Sequence, residues 1–506
     1  MKRTLISVSN KRSLISFAKG LVRLGFEIIA TEGTARTLKK KGIPVKTVSE
    51  ITGFKEILGG RVKTLHPTIF GGILARRSKR DLKELEKTGI ETIDLVIVNL
   101  YPFKERLKNI DIGGVALIRA ATKNFQNVGV IIDSGDYKKT LNELRKKRGN
   151  LSLKTKEDLA KKALAYILSY DRMVYKYLAS PKSKVQSPKF PEELFLDYEK
   201  VQDLRYGENP HQRAALYQMQ NAKCKMQNYK QLWGKELSFN NVLDLDVASS
   251  IVREFKEPIA VIIKHTNPCG VAKDRSLVRA YQKARACDPL SAFGGVVGLN
   301  RKVDISIAKE ITSTFIEAVI TPGFTPQALR ILKKKKNLRV VQCPMSNVQC
   351  QEKDLRIVTW GLLVQDRDIK DIKTKNFKIV TKRKPTKKEL AALFFAWKVA
   401  KYVKSNTIVI SSENQTLAIG AGQTSRIDSV KIASSKMRNT ECGIRNAIVM
   451  ASDGFFPFRD SIDESAKAKI SAVIQPGGSI RDKEVIKACN EHNIAMVFTG
   501  IRHFRH

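Results

Sequence analysis

A lysine and a histidine stand next to each other directly after a strongly apolar segment of the chain. Lys264 and His265 follow residues 259–263, an apolar run typical of a buried strand. Histidine is the usual general base near neutral pH, and a lysine ammonium can stabilise a developing oxyanion. The pair therefore suits acyl transfer, in which a weak amine loses a proton as it attacks a carbonyl carbon. Open α/β sheets bind ligands at the carboxyl ends of strands, which favours a catalytic role over the structural role of most lone histidines.

Polar residues also follow the first two predicted strands of the chain. Residues 7–11 end one strand and residues 31–34 end the next, each before a predicted helix. Hydroxyl groups, a glycine and a lysine at helix N-termini can hold a phosphate, although ordinary helix capping uses the same residue types. Later loops carry a phenol, a carboxylate and two ammonium groups, which could serve a metal-free condensation or form surface salt bridges. These four residues are Lys63, Tyr101, Asp111 and Lys123.

Apolar strands alternate with helices in the segment that must position these loops. Residues 5–8, 28–30, 95–98 and 128–132 are continuous apolar runs separated by helical periodicity. Such runs predict a parallel sheet covered by helices on both faces. A long helix is predicted over residues 155–178.

The stretch 180–193 contains three prolines among serines and lysines, and it is the best candidate for a domain boundary. We therefore expect one domain over residues 1–193 and a second over 194–506. Glycine-rich turns and a strongly apolar strand predict mixed α/β structure in the second domain. A chain of 506 residues agrees with two or more domains.

The net charge is the unusual feature of the composition. Lysine and arginine total 92 against 49 aspartates and glutamates, a formal charge of +43. This excess favours anionic partners such as phosphorylated metabolites, polyglutamates or nucleic acid, or it is a solvated surface. The seven scattered cysteines indicate reduced thiols, without a disulfide framework or zinc site. No apolar run approaches the roughly 20 residues of a membrane span, so a cytoplasmic protein is expected.

Longer motifs resemble those of the bifunctional family that joins phosphoribosylaminoimidazolecarboxamide (AICAR) formyltransferase to inosine monophosphate (IMP) cyclohydrolase. The resemblance covers nearly the whole chain, with the motifs in the family's order. In the first half the matching segments are residues 60–67, 99–103, 111–114 and 119–124. In the second half they are residues 204–212, 237–241, 264–270, 288–295, 420–426, 455–460 and 502–506.

The resemblance implies a fold and two reactions. A methylglyoxal-synthase-like cyclohydrolase domain would precede a larger α/β formyltransferase region of cytidine-deaminase-like units. Formyl would pass from 10-formyltetrahydrofolate to AICAR, and the product, FAICAR, would close to IMP with loss of water, a step of de novo purine biosynthesis. No catalytic metal is expected. The implied partners are these nucleotides, folate and a second copy of the chain, with transferase sites at the homodimer interface, and no membrane or specific nucleic acid.

The resemblance also assigns roles to individual residues. Lys264 and His265 would catalyse transfer, and Lys63, Tyr101, Asp111 and Lys123 would catalyse ring closure. In the cyclohydrolase half, the residues that bind the nucleotide would be Ser9, Asn10, Lys11, Thr31, Gly33, Thr34, Arg61 and Thr64, with Asn99 and the backbone at Gly113 orienting the base. In the transferase half, the substrate-binding residues would be Arg205, Tyr206, Phe293, Glu317, Asn406, Phe455, Arg502 and His506.

Two other functions compete with this interpretation. Nucleic-acid binding predicts aromatic residues interleaved with basic ones, or an RNA-binding signature, and the sequence has neither. A degenerate enzyme with one activity predicts substitutions among the six catalytic candidates, all of which are present. The charge of +43 is not explained by the resemblance.

Overall fold

The chain forms two compact units, Met1–Glu192 and Glu193–His506. The computed structural model describes residues 1–103, 110–179, 190–219, 229–345, 353–370, 377–438 and 448–506. Most of the predicted linker, residues 180–189, lies outside these described residues.

The first unit is built on a five-stranded sheet in which every neighbouring pair is parallel, as its apolar runs predict. The strand order is β3-β2-β1-β4-β5. The strands are β1 (Lys2–Val8), β2 (Phe26–Ala30), β3 (Lys46–Thr47), β4 (Leu95–Asn99) and β5 (Gly129–Ile131). The helices are α1 (Leu14–Arg23), α2 (Glu32–Lys39), α3 (Val48–Thr52), α4 (Pro67–Leu74), α5 (Lys79–Thr88), α6 (Gly113–Lys123), α7 (Tyr137–Lys146) and α8 (Leu153–Ala179), with 3-10 turns at Leu58–Gly60 and Ser134–Asp136.

Both faces of this sheet are buried. Leu5 and Ile6, adjacent on β1, belong to different apolar clusters because successive side chains of a strand point to opposite faces. On one face the ring of Phe17 in α1 stacks on Tyr137 in α7, with centroids 4.2 Å apart. The opposite cluster includes apolar residues of α4, α6 and α8. The helices therefore cover the sheet, and the loops at its carboxyl edge are left to form a site.

The predicted long helix is present as α8, but it begins two residues earlier than expected. The Ser152 hydroxyl accepts a 3.3 Å hydrogen bond from the N–H of Thr155. Thr155 itself donates its hydroxyl to Glu143, at 2.6 Å. Ser152 therefore caps this helix, because Thr155 already lies inside its first turn.

The second unit contains two six-stranded sheets with the same topology, β10-β9-β11-β12-β13-β8 and β18-β17-β19-β20-β21-β16. Across each sheet, an antiparallel hairpin lies at one edge, three parallel strands lie next to it, and an antiparallel strand forms the other edge. The strands of the first sheet are β8 (Lys230–Trp233), β9 (Ile259–Lys264), β10 (Asn267–Lys273), β11 (Val296–Leu299), β12 (Ala318–Thr321) and β13 (Arg339–Gln342). Those of the second are β16 (Lys378–Ile379), β17 (Ile408–Ser411), β18 (Thr416–Gly420), β19 (Val449–Ser452), β20 (Ala472–Gln475) and β21 (Ala495–Phe498).

Two further hairpins and nine helices complete the described part of this unit. The hairpins pair β6 (Tyr198–Leu204) with β7 (Ala214–Met219) and β14 (Lys353–Val358) with β15 (Gly361–Asp366). The helices are α9 (Phe239–Arg253), α10 (Leu277–Cys287), α11 (Pro289–Ala292), α12 (Ile305–Thr312), α13 (Pro326–Lys333), α14 (Lys387–Ala400), α15 (Arg426–Arg438), α16 (Asp460–Lys467) and α17 (Asp482–Glu491).

The repeated sheets share one apolar core. Helices α9 and α14 precede the hairpins of their respective sheets, and both begin with a capping box, at Ser238 and Thr386. Phe255, just after α9, contacts Phe395 of α14 with ring centroids 5.5 Å apart. The same cluster contains residues of both sheets. The predicted mixed α/β architecture is confirmed, and the duplicated topology is compatible with the repeated units that the resemblance implies.

None of the helices in the described part of the chain has the length and apolarity of a membrane span. The four cysteines among the same residues are free thiols, namely Cys269, Cys287, Cys343 and Cys489.

Candidate active sites

Asn99 joins the carboxyl ends of two adjacent strands in the first unit. As the last residue of β4, it accepts hydrogen bonds through Oδ1 from the backbone N–H groups of Ser9 (2.7 Å) and Asn10 (2.8 Å). Its Nδ2 donates to the Asn10 carbonyl at 3.0 Å. The loop that follows β1 is thereby fixed, and Lys11 within it is exposed. This loop can present backbone and ammonium donors to a phosphate.

The two predicted threonines at the start of α2 face the sheet. Thr34 Oγ1 lies 3.4 Å from the Val8 nitrogen, and Thr31 Oγ1 lies 3.5 Å from the hydroxyl oxygen of Ser7. Both threonines are buried, whereas Gly33 between them is exposed. The hydroxyls therefore pack the helix start against β1, and Gly33 is the member of this turn that faces solvent.

Asp111 organises the N-terminus of α6. Its Oδ1 accepts from the N–H of Gly114 at 2.7 Å, and its Oδ2 accepts from the N–H of Tyr101 at 3.2 Å. A Cβ at Gly114 would lie 2.9 Å from both carboxylate oxygens, so this contact requires glycine. The N–H of Asp111 donates to the Tyr170 hydroxyl at 2.8 Å, and burial raises the pKa of Tyr170. Asp111 thus holds the backbone of Tyr101, whose phenol is exposed.

The loop with Arg61 and Lys63 lies beside the same helix N-terminus. Thr64 Oγ1 lies 3.0 Å from the position that a Cβ at Gly113 would take. The side chain of Lys63 reaches to within 4.0 Å of a Glu56 carboxylate oxygen. Arg61 is exposed at the end of the turn. The structure thus groups Thr64, Gly113 and the Tyr101–Asp111 pair, with Lys63 on the adjoining loop.

Lys123 is not part of this group. It is the last residue of α6, so at 1.5 Å per residue it lies about 15 Å along the axis from Gly113. The next residue, Asn124, donates to the carbonyls of Ile73 and Ala75 at the end of α4. Lys123 is therefore at the opposite end of these two helices, and its role in ring closure stays a prediction.

In the second unit, His265 and Thr266 form the two-residue turn between β9 and β10. Their φ angles are 52° and 61°, and Lys264 pairs with Asn267 across the turn. Positive φ at both positions matches a type I′ turn, which normally uses Asn-Gly. Positive φ is uncommon for any residue other than glycine, and for a β-branched threonine it is an outlier. Unfavourable backbone conformations cluster at functional sites, so this turn marks the predicted catalytic pair.

The direction of β9 differs from what sequence reasoning assumed. Lys264 does end an apolar strand, as predicted, but β9 is antiparallel to both β10 and β11. The rule about carboxyl edges of parallel strands therefore does not explain this position. Lys264 instead lies beside the residues that precede β11, and its Nζ donates to the Phe293 carbonyl at 2.9 Å.

Phe293 and Glu317 lie at the amino ends of neighbouring strands in the first sheet. The ring of Phe293 is 5.3 Å from that of Phe315, and the N–H of Glu317 donates to the Gly295 carbonyl at 3.0 Å. The Glu317 carboxylate pairs with the guanidinium of Arg339, which is buried at the start of β13. Glu317 is thus held in place beside the Lys264 end of the sheet.

Backbone hydrogen bonds to residues 236–239 connect Arg205 and Tyr206 to the edge of the sheet that carries Glu317. The N–H of Arg205 donates to the Leu237 carbonyl at 2.9 Å, and the Tyr206 carbonyl accepts from Phe239 at 3.1 Å. Arg339 also donates to the Glu236 carbonyl at 3.2 Å. The Arg205 guanidinium lies 5.4 Å from the centre of the Tyr206 ring. Arg205, Tyr206, Phe293, Glu317 and Lys264 therefore belong to one edge.

The remaining predicted residues belong to the second sheet. Asn406 donates through Nδ2 to the Gln423 carbonyl at 2.8 Å, and the preceding Ser405 N–H donates to the Arg505 carbonyl at 2.9 Å. The C-terminal residues are thereby tied to Asn406. The guanidinium of Arg502 lies 4.2 Å from the Phe504 ring centre, and His506 packs on the same ring with centroids 5.9 Å apart.

A pocket of about 400 Å³ lies where β19, β20 and β21 end. These three strands are parallel, so this is the edge at which α/β sheets bind ligands. Its three glycines have positive φ, a backbone conformation that glycine adopts without strain. The lining residues are Phe455, Pro476, Gly477, Gly478, Gly500 and Arg502.

Two family models together match residues 13–436 of this chain, and known proteins match it over nearly its whole length. The family described as AICARFT/IMPCHase bienzyme matches residues 121–436, and the MGS-like domain matches residues 13–131. A protein of Myxococcus xanthus is 50% identical, with 99% of each chain covered, and one of Persephonella marina is 48% identical, with 100% of each covered. One of Magnetococcus marinus is 47% identical over 100% of this chain and 99% of its own. All three are named bifunctional purine biosynthesis protein PurH. The chain belongs to the AICARFT/IMPCHase bienzyme family.

The MGS-like match confirms the fold predicted for the first unit of this bienzyme, whose five parallel strands lie within residues 2–131. The solved structure of ForH is 36% identical, covers 35% of this chain and 97% of its own, and has a TM-score of 0.34.

Three polar residues of this family member support the site and were not found from sequence. Asp244 accepts a hydrogen bond from the Thr266 N–H, Asn267 contacts both the His265–Thr266 turn and Lys404, and the fully buried Asp453 pairs with Arg426. Asn267 lies within the motif of residues 264–270, and Asp453 lies just before that of residues 455–460, so proximity was an available signal. Asp244 lies 22 residues before its partner Thr266, and no motif spacing in the sequence indicates that contact.

Proposed function

We propose that the two reactions of this family are divided between the two units. The chain formylates AICAR and then closes FAICAR to IMP, the activities of the AICARFT/IMPCHase bienzyme family. We assign ring closure to the first unit and formyl transfer to the second. The strained His265–Thr266 turn, with Lys264 held beside Phe293, is the observation that carries the assignment of transfer.

Formyl transfer requires a general base for the attacking amine and a hydrogen-bond donor for the oxyanion that forms at the formyl carbon. In the proposed mechanism the imidazole of His265 takes the proton of the AICAR amine as its nitrogen bonds to the formyl carbon. One N–H of the Lys264 ammonium is used by the Phe293 carbonyl, and the others can stabilise the oxyanion. When the tetrahedral intermediate collapses, the bond from formyl carbon to folate nitrogen breaks and that nitrogen takes up a proton.

The donor in this proposal is 10-formyltetrahydrofolate. The family's formyltransferase activity supports a folate-type donor. The pocket at Phe455 and Arg502 offers an aromatic face and a cation, which suit a flat, anionic molecule such as a folate. Arg205, Glu317 and Asn406 would bind AICAR, with Glu317 accepting from its amine.

Ring closure forms a bond between the carboxamide nitrogen and the formyl carbon of FAICAR, after which water leaves. We assign proton transfer to the phenol of Tyr101 and the ammonium of Lys63. Asp111 uses both carboxylate oxygens to hold backbone N–H groups, so its role here is to position Tyr101 and the start of α6. The loop fixed by Asn99, together with Lys11 and Gly33, would bind the phosphate. Homodimeric assembly, taken from the resemblance, and the cytoplasmic location expected from the composition complete the proposal.

Product analysis of the purified full-length chain tests this function. Incubation with AICAR and 10-formyltetrahydrofolate is expected to give tetrahydrofolate and IMP, separated by chromatography. FAICAR supplied alone should also give IMP, without folate. Absence of IMP in both reactions would overturn the proposed function. If the FAICAR reaction gave IMP and the reaction with AICAR and 10-formyltetrahydrofolate gave none, only the cyclohydrolase assignment would stand.

A further inference from the structure

The conformation of the catalytic turn needs support from outside the turn. His265 and Thr266 both adopt positive φ, which is an outlier conformation for the β-branched Thr266. Such conformations persist only when the surrounding structure determines them. The orientation of the His265 side chain therefore depends on the groups that hold this backbone.

The groups that hold the turn are few and well defined. Asp244 Oδ1 accepts a 2.7 Å hydrogen bond from the Thr266 N–H. The His265 carbonyl accepts from the Thr266 hydroxyl at 2.7 Å and from Nδ2 of Asn267 at 3.2 Å. Two of these contacts come from residues of the hairpin itself. Asp244 joins the backbone of the turn directly to helix α9.

Helix α9 is a rigid base for this contact. It begins with the capping box of Ser238 and Asn241, and it packs on β9 and β11. Asp244 lies near its middle and is half-buried. Burial raises the pKa of Asp244, whereas the N–H groups of Thr266 and His265 and the charge of the imidazole oppose that rise. The carboxyl of Asp244 therefore interacts with the backbone N–H groups of the turn.

We propose that Asp244 is a positioning residue for formyl transfer, whose carboxylate holds the Thr266 N–H and so keeps the strained turn that presents His265 to the substrate. This inference rests on the proposed function, because it assigns Asp244 to the same site. It predicts an effect on the chemical step, since in this proposal Asp244 acts through the backbone of a catalytic group.

The first test is kinetic, with full-length chains. Asp244→Ala is expected to lower kcat for formyl transfer about 10- to 100-fold, the range that follows from losing one such conformational restraint. KM for AICAR and for 10-formyltetrahydrofolate should stay within about threefold of wild type. Asp244→Asn keeps an acceptor oxygen for Thr266 and should retain most of the activity. Ring closure of supplied FAICAR, measured on the same preparations, should be unchanged, and cooperative urea unfolding of the full-length variants at wild-type denaturant concentrations serves as the folding control.

The second test separates support of the turn from general stability. Glycine adopts positive φ without strain, so Thr266→Gly should remove the need for Asp244. The loss caused by Asp244→Ala should accordingly be at least fivefold smaller in a Thr266→Gly background than in the wild-type chain. An equal loss in both backgrounds, or a rise in KM with unchanged kcat, would overturn the positioning role. A wild-type chain that forms no FAICAR would overturn the proposed function, whereas an active wild type with a fully active Asp244→Ala would overturn this inference alone.

Discussion

The side-chain oxygen of Asn267 accepts a 3.0 Å hydrogen bond from the backbone N–H of Lys404. The same amide donates to the His265 carbonyl at 3.2 Å. Asn267 therefore connects the catalytic turn of the first repeated sheet to the segment of the second sheet that carries Asn406. Through this residue the two repeats can contribute to one transferase site.

Asn267→Ala removes both of these hydrogen bonds. We expect formyl transfer to fall by about tenfold, because each lost bond contributes on the order of 1 kcal/mol. Asn267→Asp keeps the acceptor for Lys404 and loses the donor to His265, so its activity should be intermediate. Initial rates of tetrahydrofolate formation measure both. Full activity of the alanine variant would show that the repeats do not depend on this connection.

Replacing the catalytic pair should affect one reaction only. His265→Ala removes the proposed base and should slow formyl transfer by about two to four orders of magnitude. Lys264→Ala removes the oxyanion donor and should cost on the order of a hundredfold or more. Neither change should alter ring closure of supplied FAICAR. Loss of both reactions in a folded His265→Ala chain would contradict the division of labour.

The converse substitutions belong to the first unit. Lys63→Ala or Tyr101→Phe should stall ring closure, because each removes a proposed proton-transfer group, while formyl transfer continues. FAICAR would then accumulate and could run the transfer backwards, so transfer must be followed as an initial rate of tetrahydrofolate formation. A Lys63→Ala chain that slowed only the transfer would reverse the assignment of the two units.

The first unit should be active without the second. A fragment of residues 1–193 contains the whole five-stranded sheet, both of its apolar faces and the Tyr101–Asp111 pair. We expect it to fold, by circular dichroism and cooperative urea unfolding, and to convert FAICAR to IMP. An inactive or unfolded fragment, alongside an active full-length chain, would refute the autonomy of this unit.

A buried ion pair at the start of α14 should make the second unit sensitive to acid. Burial opposes ionisation of Glu389, but bonds from Arg383 and from the N–H of Thr386 outweigh it and lower its pKa to about 2. A lowered folded-state pKa stabilises the fold above the unfolded value of 4.5, and that contribution is lost as the pH falls towards 2.

Glu389→Gln should therefore destabilise the full-length chain at pH 7 by on the order of 2 kcal/mol, because Arg383 loses its partner. Urea unfolding at pH 7 and at about pH 3 measures this, and the difference from wild type should be smaller at the lower pH. The exposed Glu413→Gln is the matched control and should change little. A difference independent of pH would argue against the ion pair as its cause.

Sequence reasoning worked where side-chain pattern and local structure agree. Continuous apolar runs predicted the parallel sheet of the first unit, because a strand buried on both faces excludes polar residues. It failed on the direction of β9, since an apolar run such as residues 259–263 reads the same in a parallel and an antiparallel strand. Asp244 was missed because its partner is a backbone N–H, which has no sequence signature. The duplicated topology was missed because strand order depends on pairing between segments, and periodicity within a segment does not encode that.

The two sheets share one topology but contribute different parts to the proposed transferase site. The turn of the first copy carries Lys264 and His265, whereas the corresponding turn of the second, residues 412–415, reads Ser-Glu-Asn-Gln. The second copy has instead the open pocket at Phe455 and Arg502. In the proposed transferase site, each sheet therefore supplies a part that the other lacks. A drug or a mutation that disables either sheet would then stop formyl transfer, because the other sheet cannot replace the missing part.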